Sequence, residues 1–260
     1  MKPARLLSLL VATGLSVTCA AQNAAKDDPR YFGGIWESER FFFLINNTPK
    51  LPKTQQMVDR YAAAMKSGQI LYTAWTSCRP GAISAMAMVM NSIVVLQTGK
   101  DITISLEEPR MTRRIRLDSA HPKNLEPSYL GDSIGHWEGS TLVVDTIGFN
   151  GNFELDAAAQ PTSTKLHTVE RFTKSPDGKR IAVEVTISDS EYYADSFKID
   201  RAWRASSKRH QMEYDCMENP RSEEFDHTLF IKDQYRPTCQ SYQGEGLEPS
   251  HIVCGKPDAP

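Results

Sequence analysis

The chain has 260 residues, a formal net charge of −2, 40% hydrophobic residues and 24% charged residues. With no overall basic field, nucleic acid and anionic membrane are excluded as expected partners. The apolar content suffices for one large β domain or two small ones, and no segment beyond the N-terminus is long and apolar enough for a transmembrane helix.

Lys2 and Arg5 precede an apolar run from Leu6 to Val17 and small residues at Cys19-Ala20-Ala21. That is the layout of a secretory signal peptide over 1–21, with a polar linker over 22–30, so the protein is expected to be exported to the periplasm or secreted. Cys19 offers lipid anchoring as the alternative, but Ser16-Val17-Thr18 lacks the leucine and small residues such a site presents. Tyr31 to Glu37 reads as the first strand, and Phe41 to Ile45 adds an apolar run. Met57, Val58, Tyr61 and Met65 recur at helical spacing between Thr54 and Lys66, with Gly68 as the stop. Cys78-Arg79-Pro80-Gly81 is a turn, and Ile83 to Met90 is ambiguous between helix and packed loop.

From Ile93 the pattern becomes strands separated by turn signals. Ile93–Gln97 and Ile102–Glu107 flank Thr98-Gly99-Lys100-Asp101, and Met111–Leu117 follows Glu108-Pro109. After a loop at 122–127 comes the clearest strand, Thr141 to Phe149, fed by a turn at Glu138-Gly139-Ser140. Ser163–Thr173 and Arg180–Ser188 flank Ser175-Pro176-Asp177-Gly178, a hairpin signal. Ser196–Arg204 and Gln211–Met217 complete the set. Roughly eight antiparallel strands joined by short turns describe an all-β, up-and-down barrel with one short N-terminal helix, over 31–219.

Beyond Cys19 the cysteines are Cys78, Cys216, Cys239 and Cys254. An even set in an exported chain predicts two disulfides, for which three pairings exist. A local Cys239–Cys254 bridge would tie down the tail at 220–260, leaving Cys78 with Cys216. No C-x-x-C, H-E-x-x-H or histidine pair at ligand spacing occurs, so neither a metal site nor a cofactor is expected.

Period-two alternation puts Val143, Asp145, Ile147 and Phe149 on one face, apolar except for the Asp145 carboxylate, which needs a partner or a purpose. Arg113 shares a face with Met111, Ile115 and Leu117, Arg201 with Ile199 and Trp203, and Glu170 with Leu166, Thr168 and Phe172. If these faces point into one barrel, charge pairs form inside it. Alternatively, the arginines lie at strand ends and reach out to water.

Gly34-Ile35-Trp36, with Arg201 on a late strand, resembles the lipocalin/calycin superfamily, in which the tryptophan packs at the closed barrel end against a late arginine. Ser133-Ile134-Gly135-His136-Trp137-Glu138-Gly139-Ser140-Thr141-Leu142-Val143-Val144-Asp145-Thr146, followed by Val169-Glu170-Arg171-Phe172, resembles a group of exported bacterial proteins carrying S-I-G-x-W-E-G-D-T-L-V-V-[DE]-T. That match covers about residues 76–219 and includes Cys78-x-Pro-Gly, His121-Pro122 and Cys216-Met-Glu-Asn219. It departs at Ser140 and Thr164, where the group usually has acidic residues. The resemblance implies export and fold, without a settled activity.

Candidate chemistry follows from residue type. Asp145 and Glu170 would form an acid–base pair if their strands bring them together, and otherwise each neutralises Arg113 or Arg201. His121, in a loop before Pro122, and His136, on one side with Glu138, are further acid–base candidates. Arg113, Arg201, Trp137, Tyr193 and Ser133 are candidate substrate-binding residues. Gly131-Asp132-Ser133-Ile134-Gly135 matches G-x-S-x-G, but a nucleophile elbow needs a strand before it and a helix after it, whereas a strand follows here. The expectation is an exported barrel that binds or acts on a small, mostly apolar organic molecule in its interior, without cofactor and by acid–base isomerase, lyase or cyclase chemistry if catalytic. A non-catalytic carrier or envelope-associated binding protein, and a serine hydrolase using Ser133, are the alternatives.

Overall fold

Alternation of buried and more exposed residues along most of the successive strands accompanies the curling of the chain into a barrel. The computed structural model describes residues 28–39, 44–67, 70–71, 80–81, 92–107, 111–208, 211 and 253–254. The elements are β1 (Gly34–Ser38), α1 (Pro52–Lys66), β2 (Ile70–Leu71), β3 (Ser92–Gln97), β4 (Asp101–Leu106), β5 (Met111–Leu117), β6 (Asp132–Glu138), β7 (Thr141–Ile147), β8 (His167–Lys174), β9 (Arg180–Ser188), β10 (Phe197–Ala205) and β11 (Val253–Cys254). Nine strands close in the order β1-β10-β9-β8-β7-β6-β5-β4-β3, and β2 pairs separately with β11. The all-β barrel, with one short helix among the described residues, is therefore the fold expected from the sequence. The predicted signal peptide, Cys78, Cys216, Cys239 and most of 209–260 lie outside the described residues, as do the side chain of Cys254 and the strand expected at Gln211–Met217 apart from Gln211.

One pair breaks the up-and-down pattern: β5 and β6 run parallel, with Ile115 opposite Ser133 and Leu117 opposite Gly135. Parity requires such a break. Directions cannot alternate all the way around a closed ring with an odd number of strands. The crossover at 118–131 supplies the reversal and places His121 over the outer wall.

β6 is not among the strands predicted from the sequence. Its Gly135 is a packing residue: a Cβ there would sit 2.9 Å from Ile115 Cγ2 and 3.3 Å from side-chain atoms of Leu117 and Leu142. Removing the side chain lets the barrel wall close at this point.

Ile102, Ile104 and Leu106 of β4 and Ile181, Val183, Val185 and Ile187 of β9 line the interior, each at most 4% exposed. Burial of each such side chain stabilises the fold by about 1.5–3 kcal/mol. β1 closes the ring between β3 and β10, with Trp36 opposite both Ile93 and Ala205. The Trp36 indole N–H donates to the Phe32 carbonyl at 2.9 Å. α1 starts with Pro52 at its first turn, where a missing N–H costs nothing. It docks through Thr54, whose hydroxyl donates to the Tyr192 carbonyl at 2.5 Å.

Candidate functional site

The wall formed by β5 to β8 carries polar residues on both faces, in adjacent positions along each strand. On β7, Leu142, Val144 and Thr146 point inward, at 1%, 0% and 0% exposure. Asp145 therefore points outward, contrary to its expected place on the buried face. Phe149 reaches the core only because Gly148, at φ +74°, breaks the alternation after the strand.

The inner array centres on Arg113. Its Nε donates to Ser133 Oγ at 2.9 Å, its Nη1 to Glu170 Oε1 at 3.0 Å, and its Nη2 to both Thr146 Oγ1 at 2.8 Å and Glu170 Oε2. Ser133 and Thr146 also bond to each other at 3.0 Å. Arg113, Ser133, Thr146, Thr168 and Glu170 are all 5% exposed or less, so this level of the barrel is filled by protein side chains. A bidentate guanidinium–carboxylate pair with its remaining donors satisfied is how a buried charge is tolerated. The expected charge pair inside the barrel is present, with a structural character.

Three expectations are corrected here. Glu170 cannot pair with Asp145: Val144 is the cross-strand partner of Glu170, and Asp145 lies on the opposite face. Ser133 lies within β6, buried and bonded to Arg113 and Thr146, so it is not presented as a hydrolase nucleophile. Arg201 stands at another level, opposite Val183, where burial lowers its pKa and its Nη1 donates to the Asp200 carbonyl at 2.9 Å.

The outer array is a continuous chain of charged and titratable groups. Arg116 Nη2 donates to Asp132 Oδ1 and Oδ2 at 2.7 and 3.0 Å. His121 joins Asp132 Oδ1 through Nδ1 at 2.6 Å and Asp145 Oδ1 through Nε2 at 2.9 Å. The other Asp145 oxygen meets His167 Nε2 at 2.7 Å. Burial, the largest single influence on the Asp145 carboxyl, raises its pKa. The hydrogen bonds from His167 and His121 oppose it and hold the carboxyl below its usual range. Among the described residues no group of three or more His, Cys, Asp or Glu is arranged to hold a metal ion.

Of the expected acid–base residues, the fold thus unites Asp145 with His121. His136 is apart, 3.4 Å from Glu138 at the far end of β6. Trp137 packs edge-on against Phe32 with ring centroids 5.3 Å apart. Tyr193 is 3% exposed and its hydroxyl donates to the Pro161 carbonyl at 3.0 Å, so it caps the core instead of rimming a pocket. Arg116, Asp132 and His167 are the site residues that sequence reasoning missed. Each belongs to the array through a neighbouring strand, and register between strands is not written in local pattern.

Compared with known proteins, the chain matches no family model and no curated sequence. The geometry of the two arrays is therefore what bears on function.

Proposed function

We propose that the protein binds a small, mostly apolar organic molecule against the outer wall of its barrel and moves a proton to or from it through His167, oriented by Asp145. The observation that carries this reading is the bridged Asp145 carboxylate. It engages His167 Nε2 at 2.7 Å, while the His167 side chain is 42% exposed and its Nδ1 takes no hydrogen bond among the described residues. A carboxylate that holds one ring nitrogen fixes the tautomer and leaves the other nitrogen's lone pair for a substrate proton. Reversible proton transfer of this kind serves isomerisation, elimination or cyclisation without a redox partner. The packed inner array argues for placing the ligand on the wall at this level. The Lys2, Arg5 and Leu6–Val17 layout supports export of the mature chain, and the motif at Ser133–Thr146 supports kinship with exported bacterial proteins.

The test is a fragment screen by ¹⁵N–¹H NMR with wild type and His167→Gln. Shifts clustered at Ile134, Asp145, His167 and Val169, with proton exchange of the bound fragment lost in the variant, are expected. Shifts clustered at Val144, Thr168 and Ile187, unchanged in the variant, would overturn the reading in favour of a carrier with an interior ligand.

A further inference from the structure

The two histidines of the outer array have different capacities. Both nitrogens of His121 face carboxylate oxygens, of Asp132 at 2.6 Å and of Asp145 at 2.9 Å. A carboxylate only accepts, so both bonds stand together only when both nitrogens carry hydrogen and the ring is an imidazolium. With its side chain 17% exposed and both nitrogens engaged, His121 has no nitrogen left for a substrate. His167 commits one nitrogen to Asp145.

The charges then sum simply. Arg116 and the His121 imidazolium are positive and Asp132 and Asp145 negative, so with His167 in the neutral form that a proton acceptor requires the array carries no net charge. Arg116 is already committed to Asp132, to Ser119 Oγ at 2.8 Å and to the Ala120 carbonyl at 3.2 Å. Nearby charges are likewise paired: Lys165 with Glu191, Arg114 with Asp101 and Arg171 with Glu138. The cross-strand neighbours of Asp145 are Ile134 and Val169, both partly exposed aliphatic residues. Aliphatic side chains thus flank Asp145, Ser188 lies opposite His167, and the array gains one positive charge only when His167 accepts a proton.

Resting on the acid–base reading above, we infer that the site takes an uncharged substrate with a weakly acidic C–H beside a carbonyl and stabilises the enolate formed from it. The C–H bond breaks and its proton forms an N–H bond at His167 Nδ1. The electron pair of the broken bond moves onto the carbonyl oxygen, and return of the proton to the same or a conjugated carbon completes the step. No oxidant, reductant or other co-reactant enters. The enolate meets an imidazolium created in the same step, and the attraction between the two opposite charges stabilises it. A substrate that is already anionic would place a second negative charge beside that single cation, with Arg116 and His121 both held by carboxylates.

Deuterium wash-in from D₂O, followed by ¹H NMR on the full chain, tests this with 2-indanone as the neutral probe and phenylpyruvate as the anionic one. Wash-in to 2-indanone at least about tenfold above that of equimolar imidazole is expected, nearly constant between about 0.05 and 0.5 M salt. It should be lost in His167→Gln, and Asp145→Asn, which alters a positioning residue, should displace its pH profile. Thermal melts of both variants check that each is folded. Salt-sensitive preference for phenylpyruvate that depends on His167 would overturn the substrate class and keep the acid–base reading. Acceleration of neither probe, or acceleration that survives His167→Gln, would overturn both.

Discussion

Arg113 is the residue on which the interior of the barrel depends, because four of its hydrogen bonds reach three different strands. Glu170→Gln or Arg113→Met alone leaves a buried charge without its counter-ion and is expected to cost about 3–5 kcal/mol in urea unfolding. The double variant should recover part of that loss. Thr168 lies at the same level, fully buried, and its hydroxyl has no partner among the described residues. Thr168→Val keeps the shape and removes the orphan hydroxyl, so a stabilisation of about 1 kcal/mol is expected. On the outer face, the carboxyl pKa of Asp145 is lower in the folded protein than in the unfolded chain. The stability it contributes is therefore present above the unfolded value of about 3.9 and is lost as the pH falls through the folded one. Asp145→Asn should flatten the acid limb of a stability–pH curve below about pH 4. The buried Asp189 carries the opposite sign: burial raises its pKa against the bonds from Ser163 and Glu191, so its ionisation costs stability as the pH rises.

Among the elements, β6 and the crossover that precedes it hold both arrays in place. Asp132 and Ser133 on β6, Asp145 and Thr146 on β7, and His167 and Thr168 on β8 each put one residue outside and the next inside. Ser133, Thr146 and Thr168 are in register across the three strands. A slip of one residue would turn every one of these side chains to the wrong face. Gly135→Ala should cost about 1–3 kcal/mol, because its Cβ would press on Ile115 with barrel wall on both sides. Gly148→Ala meets two obstacles, a φ of +74° and the Leu125 side chain. It should raise hydrogen-exchange rates at Ser128 and Asn150, whose amides tie the crossover to the strand end at 3.0 and 2.8 Å.

For the whole molecule, closure is the decisive property. A closed barrel has no open strand edges, and here β1 is the strand that joins β3 to β10. A chain beginning at residue 44 would expose the edges of both neighbours. Size-exclusion chromatography should show it as oligomer or aggregate, while the full chain runs as a species without edge-to-edge association. The same closure sets the direction of the wall, since nine strands require at least one parallel pair and the crossover at 118–131 provides it. His121 reaches Asp132 and Asp145 only because that crossover passes over them.

Residue order by itself determined the local structure: the helix at 54–66, the strand boundaries from Ile93 to Arg204 to within a few residues apart from β6, and the barrel class. These follow from apolar periodicity and turn chemistry, which act over a few residues. It also singled out Arg113, Glu170 and Asp145 as side chains in need of partners, because an ionisable group among apolar neighbours stands out in a pattern, and His121 as an acid–base candidate in a loop. Which face each occupied, and which partner each found, was decided by the tertiary structure. Asp145 was placed on the buried face because Val143, Ile147 and Phe149 share its parity, yet the alternate set of Leu142, Val144 and Thr146 is the one the barrel encloses. β6 was not among the predicted strands because Gly135 has no side chain to reveal its inward position. The pairings of Asp145 with His167 and of Asp132 with His121 join residues 22 and 11 positions apart. Such contacts depend on strand register and on the path of a crossover, and both are fixed by the packing of the whole barrel at once.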